Sequence, residues 1–424
     1  MTRSLPALCV LLLVVGSVVA AAPASGTTNA TAAAVADPPG PTRVTQVPNS
    51  VSYLALDGPV ERSERGTAGL DVGGALAADA ADLHSRYDDL RLDARYRAAP
   101  NASARRAAVQ ATASRLGSRI DALDRRDRRV RAEYNADRIT TAQYLRQLAI
   151  VDTEARRLGT RLSHLNARVD AAEGQPVSDR RLASLKADLL PLTGPVRGRA
   201  ADAMAGRHEP VRAYVATSAD GVVLATVDSA GGVGGEYVRE TYVASARNQS
   251  RPNQFANGTQ PPLDAAEARA RELYPWAFEN HQGYAIGLLA GGPSLRLAAV
   301  YPVSINHPHG VDRTSDVVAY LDGGTADVFR EVQYLGVERV PTTRLGERRT
   351  DGLVLRVNAT YPGGPARVAV SDAGGSPVAA TVLVDGEPAG RTGLDGERWI
   401  VLPRGQANVT VTRAGARATV VGRA

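Results

Sequence analysis

Nine residues between Tyr144 and Ala172 recur at alternating steps of four and three: Tyr144, Leu148, Val151, Ala155, Leu158, Leu162, Leu165, Val169 and Ala172. A 3.5-residue period kept this long places one apolar seam along an α-helix, and another helix is what buries such a seam. Two earlier stretches share the spacing. One runs Val109, Ala113, Leu116, Ile120, Leu123, Asp127, Val130, Tyr134, with Asp127 as its single polar member. The other runs Leu76, Ala80, Leu83, Tyr87, Leu90, Ala94. Between the second and third stretches, residues 135–140 read as a short turn, and Thr140 with Gln143 has the spacing of a capping box. So short a connection forces an antiparallel hairpin. The spacing predicts a coiled-coil bundle over residues 46–208, with the Leu76–Ala94 stretch packed alongside the hairpin. A shorter helix, Ser178–Leu190, ends at Pro191.

Near the hairpin tip stand Arg125, Arg126, Arg128, Arg129 and Arg131. Asp121, Asp124 and Asp127 precede three of them by four residues, the order that supports a helix. The cluster reads either as a solvated charged face or as a patch for an acidic partner. No aromatic residue interleaves the arginines, which argues against nucleic acid.

Ahead of the bundle lies an export signal. Arg3 precedes an apolar run from Leu5 to Ala22, followed by small residues fit for signal peptidase, so residues 1–24 read as a signal peptide. An uncleaved anchor helix is the competing reading, and only that reading attaches the chain to a membrane. Residues 25–45 are small, polar and proline-rich, as in a flexible linker. The single cysteine, Cys9, falls in the signal, so the body has no disulfide and no thiolate chemistry. Six of the 12 asparagines begin N-x-Ser/Thr triplets (Asn29, Asn101, Asn248, Asn257, Asn358 and Asn408), more than chance supplies, and they are candidate glycosylation sites. All these features place the body outside the cell or on its surface.

From residue 209 the period changes to two. Val211–Thr217 and Val222–Val227 alternate around Asp220-Gly221 as a hairpin does. A loop rich in Pro, Asn and Gln follows, and then a helix capped by Asp264. Strands over 284–289, 295–301, 317–321 and 326–332 complete an α+β module, residues 209–349. Residues 350–424 carry six short strands between Gly-Gly, Asp-Gly and Arg-Gly turns, the pattern of a small β-sandwich. Alternation puts Asn358 and Asn408 on its polar faces. Trp276 and Trp399 read as core residues.

Three resemblances fit this organisation. The segment from Ala379 through Asp385-Gly386, Gly390-Arg-Thr392, Asp395-Gly396 and Leu402-Pro403-Arg-Gly405 resembles the immunoglobulin-like or carboxypeptidase-regulatory-like modules of secreted proteins. This implies binding or rigid display. Tyr320-Leu-Asp322-Gly-Gly-Thr325-Ala-Asp-Val328 after an alanine-rich helix is similar to the closing turn of PepSY domains, which implies restraint of a peptidase or an unassigned envelope role, although that small fold lacks the long loop after Val227. As a whole the chain resembles multi-domain secreted proteins of haloarchaea. Its 50 basic residues, all arginine but Lys186, fit a GC-rich genome, archaeal or bacterial, although a net charge of +6 departs from the acidic haloarchaeal norm.

Catalytic signatures are missing from the sequence. It has no HExxH, GxSxG, EF-hand or phosphate-loop pattern. Gly231-Gly-Val-Gly234-Gly235 has Tyr237 where a dinucleotide loop needs its third glycine. His307-Pro-His309 with Asp312 lacks a third obvious metal ligand, and Asp312, Asp316 and Asp322 match no calcium loop. The expectation is a non-catalytic secreted or surface interaction protein without cofactor or metal, whose partner is an envelope or extracellular protein or glycan. The alternatives are a regulator of an extracellular peptidase and a divergent hydrolase.

Overall fold

The computed structural model describes residues 43–171, 174–228, 235–256, 260–289, 299–307, 315–350 and 352–423. Residues 1–24, where a signal peptide is expected, Asn29, Ala172, Asn257, the glycines at 231–234, His309 and Asp312 lie outside these residues. Seven helices are described: α1 Val72–Ala98, α2 Ala102–Asn135, α3 Thr141–Asp170, α4 Asp179–Leu189, α5 Pro195–Met204, α6 Pro262–Leu273 and α7 Pro275–Glu279. None is long and apolar enough to cross a membrane.

The α2–α3 hairpin follows the 4-3 seams. Leu116, Ile120 and Leu123 share a core with Val151, Leu158 and Leu162, and Leu182 and Leu185 of α4 close it. The turn is locked as its sequence requires: Gln143 N–H donates to the Thr140 hydroxyl at 3.2 Å, and Thr140 N–H donates to Gln143 Oε1 at 2.8 Å. Tyr134 and Tyr144 stack beneath it with ring centroids 4.5 Å apart.

The strands are β1 Val44–Thr45, β2 Tyr53–Leu54, β3 Arg62–Ala68, β4 Val211–Thr217, β5 Gly221–Asp228, β6 Glu236–Val243, β7 Gly283–Ile286, β8 Val300–His307, β9 Ser315–Asp322, β10 Val328–Gly336, β11 Thr343–Thr350, β12 Leu353–Ala359, β13 Pro365–Ser371, β14 Thr381–Val384, β15 Glu387–Arg391, β16 Glu397–Val401, β17 Gln406–Arg413 and β18 Ala416–Arg423. The central sheet has eight strands in the order β3-β4-β5-β6-β10-β9-β8-β7, antiparallel throughout. On one face Ala266, Ala270 and Leu273 of α6, Phe278 of α7 and Tyr274 between the two helices pack against Val303, Ile305 and Ala319. On the other face the hairpin tip docks: Tyr144, Leu145 and Leu148, with Val196 and Ala200 of α5, meet Val215, Leu224 and Val238. Trp276 and Trp399 are partly buried against the first of these cores.

Six sequence expectations need correction. The middle module does not run to residue 349, because β11 pairs with β12 in a C-terminal sheet. Asp264 does not cap α6, which begins at Pro262 and holds Asp264 in its first turn. Residues 46–68 were expected in the helical bundle. Instead they end in β3, which pairs with β4 from Arg62↔Thr217 to Ala68↔Val211. The long loop expected after Val227 contains a central strand, β6, which is hidden in sequence because Arg239 and Glu240 interrupt its apolar pattern although both are buried. Of the strand expected over 295–301, residues 295–298 lie outside the described residues, and the rest belongs to β8, which begins at Val300 and runs on to His307. Finally, the seam of α1 does not face the bundle: Leu76, Leu83, Tyr87 and Leu90 are 59–68% exposed.

The C-terminal residues form two four-stranded sheets, β11-β12-β13-β16 and β15-β14-β17-β18. Leu355, Val357, Val368, Val382, Val409 and Val411 fill the space between them, fully buried. Tyr237 donates to the Gly363 carbonyl at 3.3 Å and Arg65 donates to the Val401 carbonyl, joining these sheets to the central one, and Tyr53 of β2, which pairs with β1 in a separate two-stranded sheet, stacks on Tyr361 at 5.0 Å.

Candidate functional site

With its leucines turned outward, α1 is tied to the hairpin by charge. Asp82 lies 3.8 Å from Arg157, and Asp88 and Asp89 reach Arg161 at 3.4 and 3.2 Å. Asp93 accepts from Arg168 at 2.9 Å and lies 3.0 Å from His164. Burial pushes the Asp93 carboxyl up, but the hydrogen bonds from Arg168 and His164 outweigh it and hold the group below the usual carboxylate range. At the other end Asp71 caps α1, accepting from Gly74 N–H at 3.0 Å, and pairs with Arg146 at 3.2 Å. The apolar contribution of α1 comes from Leu92 and, at the edge, Tyr96.

Ion pairs hold a helix at longer range than packed leucines do. Beneath α1 lies a cleft of about 1050 Å³, walled by α1, α2, α3 and α5. Leu92, Leu116, Leu158 and Met204 are buried behind its wall, and the half-buried Ala75, Ile150, Ala201 and Ala205 provide its apolar surface. Seven arginines line it (Arg91, Arg95, Arg115, Arg119, Arg157, Arg161 and Arg207) against two carboxylates, Asp88 and Glu154. Arg119 pairs with Glu154 at 2.5 Å and Arg207 with Asp202 at 2.8 Å. Arg91, Arg95 and Arg115 have no carboxylate partner among the described residues. Arg115 donates to the Thr112 hydroxyl at 3.0 Å, and Arg91 lies 5.7 Å from the Tyr87 ring centroid.

Six of these arginines come in three pairs spaced i,i+4, one pair to a helix: Arg91 and Arg95 on α1, Arg115 and Arg119 on α2, Arg157 and Arg161 on α3. Like charges at this spacing repel and weaken a helix by ~0.2–0.5 kcal/mol per pair. The aspartates of α1 offset the repulsion of Arg157 and Arg161, and Glu154 that of Arg119, which leaves Arg91, Arg95 and Arg115 as the cleft's charges without a carboxylate partner among the described residues. The lining has no His, Cys or Ser, and its carboxylates are engaged by arginine, so the arrangement is equipped to hold an anion against an apolar surface.

The tip cluster singled out in sequence is split by the fold. Arg125, Arg128 and Arg129 are exposed, and Arg128 pairs with Asp124 at 2.6 Å. Arg126 turns to Gln147 at 2.9 Å, and Arg131 is only 3% exposed beside Asp127. It is therefore not a five-residue surface patch. The cleft arginines were missed in sequence, although their like-charge spacing was the available signal. Of the described sequons, Asn101 accepts from Ala104 N–H at 2.9 Å as the cap of α2, and Asn248 accepts from Ser250 N–H at 3.1 Å. Asn358 and Asn408 point away from the sandwich core, opposite Val357 and Val409.

Family models divide the chain as follows. Residues 1–209 match a domain of unknown function (DUF7096), residues 213–341 a family of unknown function (DUF7094), and residues 346–420 an archaeal fibronectin-III type-like domain. This is a three-domain protein with a C-terminal archaeal fibronectin-III-like domain. The two four-stranded sheets are that domain, so the immunoglobulin-like resemblance narrows to the fibronectin-III type. The cleft belongs wholly to the first domain. No curated protein and no solved structure matches the chain.

Proposed function

We propose that this is an exported, non-catalytic binding protein of the cell surface or its surroundings, and that its first domain holds an anionic, partly apolar ligand in the arginine cleft. The observation that carries the reading is the gathering of seven arginines against two carboxylates on one cleft, with Arg91, Arg95 and Arg115 lacking a carboxylate partner among the described residues. Exposed guanidinium groups there give charge and directed hydrogen bonds, and the half-buried Ile150 and Ala201 with the arginine stems give apolar contact. The fibronectin-III-like domain at the other end of the chain suits display or attachment. Export is supported by the N-terminal apolar run, the sequons and the absence of cysteine beyond Cys9.

The test is a fluorescence titration of the full chain with a dianionic naphthalenesulfonate dye, an amphiphile of the required chemistry. Saturable, salt-sensitive binding is expected, weakened about tenfold or more in Arg95→Ala/Arg115→Ala, since a charge-assisted hydrogen bond is worth roughly 1.5–3 kcal/mol. Equal binding by the variant would overturn the assignment.

A further inference from the structure

The cleft accounts for the inner side of α1 and leaves its outer side unexplained. Val72, Leu76, Leu83, Tyr87 and Leu90 stand on one narrow stripe of the helix, each 59–68% exposed, and the exposed Ala94 continues it. Leu76, Leu83 and Leu90 are spaced by seven, with Tyr87 and Ala94 between and beyond them at coiled-coil steps. α2 and α3, which share this repeat, have already buried their seams in the helical core and against the sheet.

We propose that α1 is a dimerisation helix, and that the partner on its outer seam is α1 of a second copy of this chain. A seam of 3.5-residue period accepts a helix of the same period, and among the described residues the one still open is α1 itself. The stripe is self-complementary, as a two-fold interface requires. With two copies antiparallel about an axis midway between Leu83 and Tyr87, Leu76 of one faces Ala94 of the other, and Leu83 faces Tyr87. Large residues thus meet small or flat ones. If each of the five large side chains gives up on the order of 100 Å² in both copies, the interface reaches on the order of 1,000 Å², where specific contacts become stable.

A lipid surface fits this helix less well. Interfacial helices present a wide apolar face beside a basic one. The stripe on α1 is one seam wide, and the helix carries Asp79, Asp82, Asp88, Asp89 and Asp93 against Arg86, Arg91, Arg95 and Arg97.

Sedimentation velocity of the purified full chain over a hundredfold concentration range tests the proposal. A reversible dimer is expected. Leu83→Glu/Leu90→Glu should weaken it at least about a hundredfold, and Tyr87→Ala about tenfold, from the lost apolar burial on both copies. Because these side chains are exposed in the monomer, both variants should keep the wild-type circular dichroism, and Leu83→Glu/Leu90→Glu, which lies outside the cleft lining, should keep dye binding. A wild-type chain that stays monomeric, or variants that dimerise as tightly as the wild type, would overturn the proposal. So would a monomer whose α1 becomes protected only on adding anionic vesicles, which would assign the stripe to lipid.

Discussion

Asp127 stands at a seam position of α2 where packing alone calls for an apolar residue, and α5 supplies the reason. Arg197 of α5 donates to Asp127 at 3.1 Å, its Nε lies 3.2 Å from Glu240 of β6, and Glu240 accepts from Val196 N–H at 3.0 Å. Asp127, Arg197 and Glu240 are all nearly inaccessible to water. Burial pushes the Glu240 carboxyl up, and Arg197 and the Val196 N–H pull it back only in part. Breaking one member of such a set strands the others as buried charges. Asp127→Asn should therefore cost about 3–5 kcal/mol in denaturant unfolding. Gly194→Ala offers an independent probe. A Cβ there would sit 1.9 Å from the Glu240 carboxylate, in an extended backbone that any residue adopts. A stability loss of similar size is expected, and an unchanged unfolding midpoint in both variants would show that the network does not hold these elements together. A second buried set reads the same way: Arg239 donates to Glu331 at 3.1 Å and to the Leu54 carbonyl at 2.7 Å.

Among the elements, α1 is distinctive because carboxylates attach it. Asp93 has a folded-state pKa below its unfolded value. Its contribution is therefore fully present above the unfolded carboxylate range, roughly pH 4, and is lost as pH falls through the folded value. Amide protection over residues 72–98 should hold from neutral pH to about pH 5 and then fall at lower pH before α3 is affected. Asp93→Asn should show the loss already at neutral pH. If α1 and α3 lost protection together, the ion pairs would not be its principal attachment. Sequence made α2 and α3 plain, because a seam, a turn and a capping box agreed with one another. It misled on α1, whose seam is as regular as theirs: periodicity says that a face will be covered, not by what. It hid β6 because its Arg239 and Glu240 are buried by pairing, which alternation of apolar and polar residues does not register.

For the whole molecule, the family boundaries are not structural ones. The first domain lends β3 to the sheet of the second, and the hairpin tip covers that sheet with Tyr144, Leu145 and Leu148. A fragment of residues 209–424 would bare Val215, Leu224 and Val238 and free the edge of β4. It should aggregate where the full chain does not, and a soluble, cooperatively folding fragment would contradict this shared core. The domain order was legible because each region keeps its own period, while the sharing between domains was not, because it rests on contacts hundreds of residues apart, such as Leu54 N–H to Glu331 at 2.9 Å. The cleft is likewise assembled from four helices. Its cost was visible as like-charged spacing, but its location was not. Arg95→Ala/Arg115→Ala relieves that repulsion and should leave the chain as stable as the wild type or slightly more so. The most direct test of the central claim is native mass spectrometry of the wild-type chain and this variant, each recovered from the envelope of its own cells. The cleft predicts an acidic, partly apolar molecule bound to the wild type and missing from the variant. The same bound species on both, or none on either, would contradict it.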